Sequence, residues 1–223
     1  MDMHLDSTKF SAVDEPQATI RVALVDDHAA VRAGLVAILG DEPRIDVVAT
    51  ARTAVEAYGQ IEREQPDVAI LDYNLPGEDG LSLCARLKSM PTPPRVLILS
   101  AFVDDALAVM AVVAGADGVM SKAGPANLNE TVTAMVAGTT FLPTITPFAL
   151  AVSGSSIPPE DLPILGMLIH GVPADDIAIT LDVEPSRLAR RRRSILERLR
   201  RRELGNARPA PLQRAHPLSV ERV

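Results

Sequence analysis

A single cysteine, Cys84, leaves no partner for a disulfide and no cysteine-rich metal site in this 223-residue chain. It lies in "LSLCARL", where Leu81, Leu83, Cys84 and Leu87 fall on the core face of an expected helix, so the thiol reads as buried and inert. No apolar run approaches the roughly 20 residues of a membrane-spanning helix. The start, "MDMHLDSTKFSAVDEPQ", has neither the basic residues nor the apolar block of a signal peptide. A cytoplasmic chain without membrane association is expected. His28 stands beside two acids, and one histidine so placed is not by itself a metal site; it is expected at the edge of whatever those acids build.

What is present divides into two kinds. A hydrophobic content of 47% is enough for one good core and a second small one. Up to Ser156 the chain carries 10 Lys and Arg against 20 Asp and Glu, whereas beyond it the balance is 12 against 9. Nine of those later basic residues are arginines within "RLARRRRSILERLRRR", Arg187 to Arg202. Clustering along one expected helix is the footprint of a phosphate-backbone binder, so net charge −7 does not argue against nucleic acid.

In the first part, "TIRVALVDD", "RIDVVAT", "PDVAILD", "PRVLILS" and "DGVMSK" read as five short buried strands. Helix-period segments separate them, beginning with "HAAVRAGLVAILG", where Val31, Leu35, Ile38 and Leu39 repeat. Five strands alternating with five helices predict an α/β fold with a doubly wound parallel sheet from about Thr19 to Gly138. Such sheets bind ligands beyond the carboxyl ends of their strands. Those ends are polar here: Asp26 and Asp27 on the first strand, Asp72 on the third, Ser100 on the fourth and Lys122 on the fifth. Crowded carboxylates repel unless a cation shares the site with the lysine, and hard oxygen ligands with room for water suit magnesium. A cation and an ammonium then leave one carboxylate, the central Asp72, able to accept a phosphoryl group.

"LVDDH", "LDYNLPGEDG", the "LSA" strand end and "ADGVMSK" resemble the receiver domain of two-component response regulators, and "VDDHAAVRAGL" resembles the subfamily with a LuxR-type (NarL/FixJ-like) helix-turn-helix. The resemblance implies a flavodoxin-like fold in which Asp72 is the phospho-acceptor. It makes Asp27 a direct Mg2+ ligand, Asp26 a ligand largely through water, and Asn74 a ligand through its carbonyl. Ser100 would hydrogen-bond the phosphoryl group and Lys122 would pair with it, while Pro76 and Gly80 shape the loop. It also implies a sensor histidine kinase as phosphodonor and a homodimer as the active form. An aspartyl-phosphate enzyme would need a second carboxylate two residues after its nucleophile, and Asn74 stands there, so no enzymatic activity is expected.

After Gly138, "TTFLPTITPFALAVSGSSIPP" has no sustained period and reads as a linker with at most one short helical turn. Then "EDLPILGMLIHG", "PADDIAITL" and "PSRLARRRRSILERLRRREL" are three helix candidates with tight turns. Gly171, Ile177, Ala178, Leu181, Val183, Leu188, Ile195 and Leu199 fit the apolar and turn positions of the LuxR-type domain, which this segment resembles. Leu188, Ile195 and Leu199 are expected in its core. Arg190 and Arg193 would face the major groove of promoter DNA, and Arg187, Arg191 and Arg198 would reach phosphates. The departures from that family are Ala189, Arg190 and Arg191 in place of its Lys-Thr-His run, Asp182 in place of a turn glycine, and Pro163 in place of an acid. The expected division is a disordered extension over 1–18, a receiver over 19–139, a linker over 140–157, a helix-turn-helix domain over 158–205 and a disordered tail over 206–223. The other reading of the second domain is a surface for a partner protein.

One further absence bears on switching. Receivers of this kind carry an aromatic three residues before the strand-five lysine, and that position is Val119. Valine is small and stiff about its first torsion. Phe102 is the nearest aromatic in sequence and is the candidate to fill the role.

Overall fold

The computed structural model describes residues 18–206, so the expected extension and tail lie, but for their innermost residues, outside the described part. Five parallel strands run in the order β2-β1-β3-β4-β5: β1 (Ile20–Val25), β2 (Ile45–Ala51), β3 (Val68–Asp72), β4 (Arg95–Ser100) and β5 (Gly118–Ser121). Between them lie α1 (Ala29–Gly40), α2 (Ala54–Glu64), α3 (Gly80–Leu87) and α4 (Asp105–Ala114), and α5 (Leu128–Val136) follows β5. Side chains of β3 are buried throughout, as a strand covered on both faces requires. α1 and α5 close one face, with Leu35, Leu39, Leu128, Val132 and Met135 against Leu24, Ile70 and Leu97. α2, α3 and α4 close the other. The order reverses beside β1, which opens a crevice above the β1 and β3 ends.

Local chemistry sets the helix starts. Thr53, Asp79 and Asp104 cap α2, α3 and α4 by accepting from Glu56 N, Ser82 N and Leu107 N. Gly115, at φ +88°, ends α4 in the left-handed conformation.

Beyond α5 the chain returns to the sheet. Phe141 N donates to the Asp117 carbonyl at 2.8 Å and Val119 N donates to the Phe141 carbonyl at 2.9 Å, which covers the outer edge of β5. Gly118 allows this close approach, since a Cβ would come within 3.2 Å of Phe141 Cβ and 2.9 Å of Leu97 Cδ1, and both would have to shift. The stretch read from sequence as a linker with one helical turn carries an eight-residue helix, α6 (Pro147–Gly154), which Thr146 caps and Pro147 begins. Then come α7 (Leu162–Ile169), α8 (Ala174–Thr180) and α9 (Pro185–Asn206). Leu188, Ile195 and Leu199 of α9 are buried. Asp182, in the turn between α8 and α9, sits at φ +49°, the left-handed region that a glycine would occupy without strain.

α4 joins the two halves. After Asp105 it has no charged residue, and Leu107 to Ala111, Val113 and Ala114 are buried. A helix that is apolar all round is covered all round. Its inner side lies on the sheet, and its outer side packs against α6, α7 and α9 in one continuous apolar cluster.

Candidate functional site

The sheet topology brings the expected strand-end residues together. Asp26 and Asp72 are almost fully buried, and Lys122 reaches both, with its Nζ 2.6 Å from Asp26 Oδ2 and 2.8 Å from Asp72 Oδ2. The second oxygen of Asp26 accepts from His28 N at 2.8 Å, and that of Asp72 accepts from Asn74 N at 3.1 Å. Burial by itself would lower the Lys122 pKa. The hydrogen bonds to the two carboxylates outweigh it and leave the pKa above its ordinary value, so the lysine stays an ammonium at neutral pH.

Gly80 keeps the loop after β3 close. Its N–H donates to the Tyr73 carbonyl at 3.0 Å, and a Cβ would strike the Asp72 carbonyl. Arg32, which the sequence did not single out, donates to the Asp26 carbonyl at 2.6 Å and steadies the acidic turn from α1.

Carboxylate oxygens of Asp26, Asp27 and Asp72 and a ring nitrogen of His28 all lie within 4.8 Å of one another. Asp27 Oδ1 is buried and makes no well-formed hydrogen bond, although His28 Nδ1 lies 2.6 Å away. A buried carboxylate oxygen without a donor, beside two more carboxylates, is a donor set suited to a hard divalent cation. His28, with a side chain 67% exposed, stands at its rim.

Ser100 is buried, but its hydroxyl is turned into its own loop: it donates to the Phe102 carbonyl at 2.6 Å and accepts from Phe102 N at 3.3 Å. Phe102 is 85% exposed, so it does not fill the space beside Val119 as the sequence suggested. Short loop bonds hold its backbone and leave the ring in solvent. What touches Val119 through the main chain is Phe141. Cys84 is buried, and burial pushes its thiol up to about 12, in keeping with an inert role.

The arginines expected at DNA lie on α9 and divide by direction. Arg187, Arg190, Arg193 and Arg198 are exposed and make no hydrogen bond or ion pair among the described residues. Arg191, expected at a phosphate, instead holds Asp161 at 2.6 Å and the Glu160 carbonyl in this conformation. Arg192 donates from Nε and Nη2 to the Val113 carbonyl at 3.2 and 2.9 Å. Arg200 pairs with Asp79 and donates to Ser82 Oγ at 2.9 Å, and Arg202 holds the Val152 carbonyl and Ser155 Oγ. The sequence reading missed this inward set. The signal for it was α4, whose "ALAVMAVVA" demands a cover on both sides.

The chain matches the family model for the response regulator receiver domain over residues 22–133, half its length, and it belongs to that family. It is 43% identical over 103 residues to the DNA-binding transcriptional activator DevR/DosR of Mycobacterium tuberculosis, covering 46% of this chain and 48% of that one. It is 36% identical over 107 residues to the oxygen regulatory protein NreC of Staphylococcus epidermidis, covering 48% and 49%. The chain spans about half the length of the curated relatives it matches. Among solved structures, a LuxR-family two-component response regulator from Aurantimonas aligns with a TM-score of 0.54 at 32% identity, over 60% of this chain and 94% of that one.

Proposed function

We propose that this chain is the response regulator of a two-component phosphorelay, cytoplasmic and non-enzymatic, with a receiver over 19–139, a connector over 140–157 and a DNA-binding output over 158–205. A sensor histidine kinase phosphorylates Asp72. One Asp72 oxygen forms the new bond to phosphorus as the donor's bond to phosphorus breaks, its electron pair leaving with the donor. The observation that carries this reading is the buried Asp72 carboxylate at a strand mouth, 2.8 Å from the Lys122 ammonium and beside Asp26 and Asp27. Asp26, Asp27, Asp72 and the Asn74 carbonyl would hold Mg2+, which neutralises charge on the transferring oxygens. Lys122 supplies a fixed positive charge to the same oxygens. Rotation of Ser100 away from Phe102 would let its hydroxyl reach the phosphoryl group.

The output is promoter DNA, met by Arg190 and Arg193 toward the groove and by Arg187 and Arg198 toward phosphates, with a homodimer as the active form. Free guanidinium groups on one helix face supply the non-specific electrostatic part of affinity. A second reading, in which the output binds an acidic partner protein, is favoured by the fact that Arg191, Arg192, Arg200 and Arg202 already serve internal contacts. A salt-series DNA titration with promoter fragments separates the two. Arg187→Ala with Arg198→Ala should weaken binding and flatten the salt slope by about one unit for each phosphate left without its arginine, and Arg190→Ala with Arg193→Ala should weaken binding and reduce discrimination among fragments. Unchanged binding and slope would sink the DNA reading of α9, and discrimination among fragments would sink the partner-protein reading.

A further inference from the structure

We propose that α9 meets DNA without leaving the receiver: its free arginines form an outward face while the opposite face stays docked on α4. This rests on the DNA-binding reading above and adds the conformation in which binding occurs.

The apolar packing comes first. Met110 of α4 lies beside Leu199 of α9, and Val113 and Ala114 lie beside Leu188 and Leu196, in a buried cluster that also takes in Ile164, Leu165 and Leu168 of α7. Undocking would bring this α4 surface into water, and α4 has no charged residue past Asp105 to make that surface tolerable.

The polar contacts point the same way. Val113 lies in the last turn of α4, where backbone carbonyls have no partner within the helix and the helix dipole is negative. Arg192 supplies both a donor and a positive charge there. Arg200, two turns along α9, pairs with Asp79, the residue that caps α3 at the end of the Asp72 loop.

At about 100° per residue, Arg187, Arg190, Arg193 and Arg198 fall within an arc of roughly 140°, opposite Leu188, Arg192, Ile195 and Leu199. Docking is centred on the other side of the helix and leaves these four exposed, with Arg193 at the edge of the groove against Lys88 and Val113. These four guanidinium groups outnumber Glu197, the one acid among them, and are complementary to the phosphates of a duplex.

The test is thiol labelling of a Val113→Cys variant, located by peptide mass spectrometry so that any reaction at Cys84 is counted separately. Saturating duplex DNA should leave the labelling rate at position 113 unchanged or slower. An increase of tenfold or more would show that DNA binding undocks α9 and would overturn the proposal. As an independent readout in the otherwise native chain, Arg192→Ala with Arg200→Ala should loosen docking and leave DNA affinity unchanged or weaker. A tenfold gain in affinity would mean that docking inhibits binding, and would also overturn it. Absence of any DNA binding would instead overturn the functional reading on which the proposal stands, and the proposal with it.

Discussion

The strand mouths and α9 both gather charge, but by different means. At the mouths, Asp26, Asp72 and Lys122 come from three strands and meet because a parallel sheet carries every strand end to one edge. Their charges are opposite, buried and mutually satisfied, apart from one Asp27 oxygen. On α9 the charges are mostly alike and close together in sequence, and the helix separates them by direction. Arg191, Arg192, Arg200 and Arg202 find acceptors on neighbouring elements, while Arg187, Arg190, Arg193 and Arg198 face solvent. Convergence makes a site for chemistry at one atom. Divergence lets one helix hold the two halves together and still present a charged surface.

The contrast can be broken most strongly at the mouth. Lys122→Ala should slow phosphoryl uptake from a small phosphodonor by about a hundredfold or more, equivalent to roughly 3 kcal/mol, because a preplaced positive charge is removed where negative charge develops. A rate within threefold of the native chain would remove Lys122 from the chemistry. On α9, Leu196→Ala should lower unfolding free energy by about 2–4 kcal/mol, since Leu196 is buried among α3, α4 and α8 residues. A reduction below about 1 kcal/mol in urea unfolding would mean that the packing of α9 on α4 contributes little.

The link between the two regions should be weak. With valine at position 119 and the Phe102 ring in solvent, neither of these two positions supplies a buried aromatic to swing as Ser100 turns. Beryllofluoride should therefore change dimer or DNA affinity by less than about a hundredfold, 2.7 kcal/mol. A larger change in sedimentation or DNA titration would show that a strong switch survives without an aromatic at position 119. The smallest effect is expected in the α8–α9 turn. Asp182→Gly relieves a left-handed aspartate but adds freedom to the unfolded chain, so stability should move by no more than about 0.5 kcal/mol. A shift above 1 kcal/mol would show that the Asp182 side chain has a further role.

The same contrast explains what was legible in the sequence. Alternating strands and helices define the order of the sheet, and the sheet dictates the convergence of Asp26, Asp72 and Lys122, so the acidic site can be assembled from motifs alone. Ser100 falls on its strand end as expected, but its hydroxyl direction depends on a loop bond to Phe102 that no motif encodes. Phe102 is misjudged from sequence because nearness along the chain says nothing about burial. The arginine run announces a charged helix, yet which arginines point inward depends on where α4 lies, a long-range packing fact. The α6 helix is underestimated because Pro147 and nearby Ser and Gly residues read as breakers, whereas Pro147 stands at the first helical position, where it is well tolerated.

The most direct test is mass spectrometry of the full chain after incubation with a small phosphodonor, with and without Mg2+, for the native protein and Asp72→Asn. The expected result is one phosphoryl group on Asp72 in the native protein, only when Mg2+ is present, and none in the variant. An equal mass gain in Asp72→Asn, or equal uptake without Mg2+, would contradict the assignment of the strand mouths as a cation-assisted phospho-acceptor site.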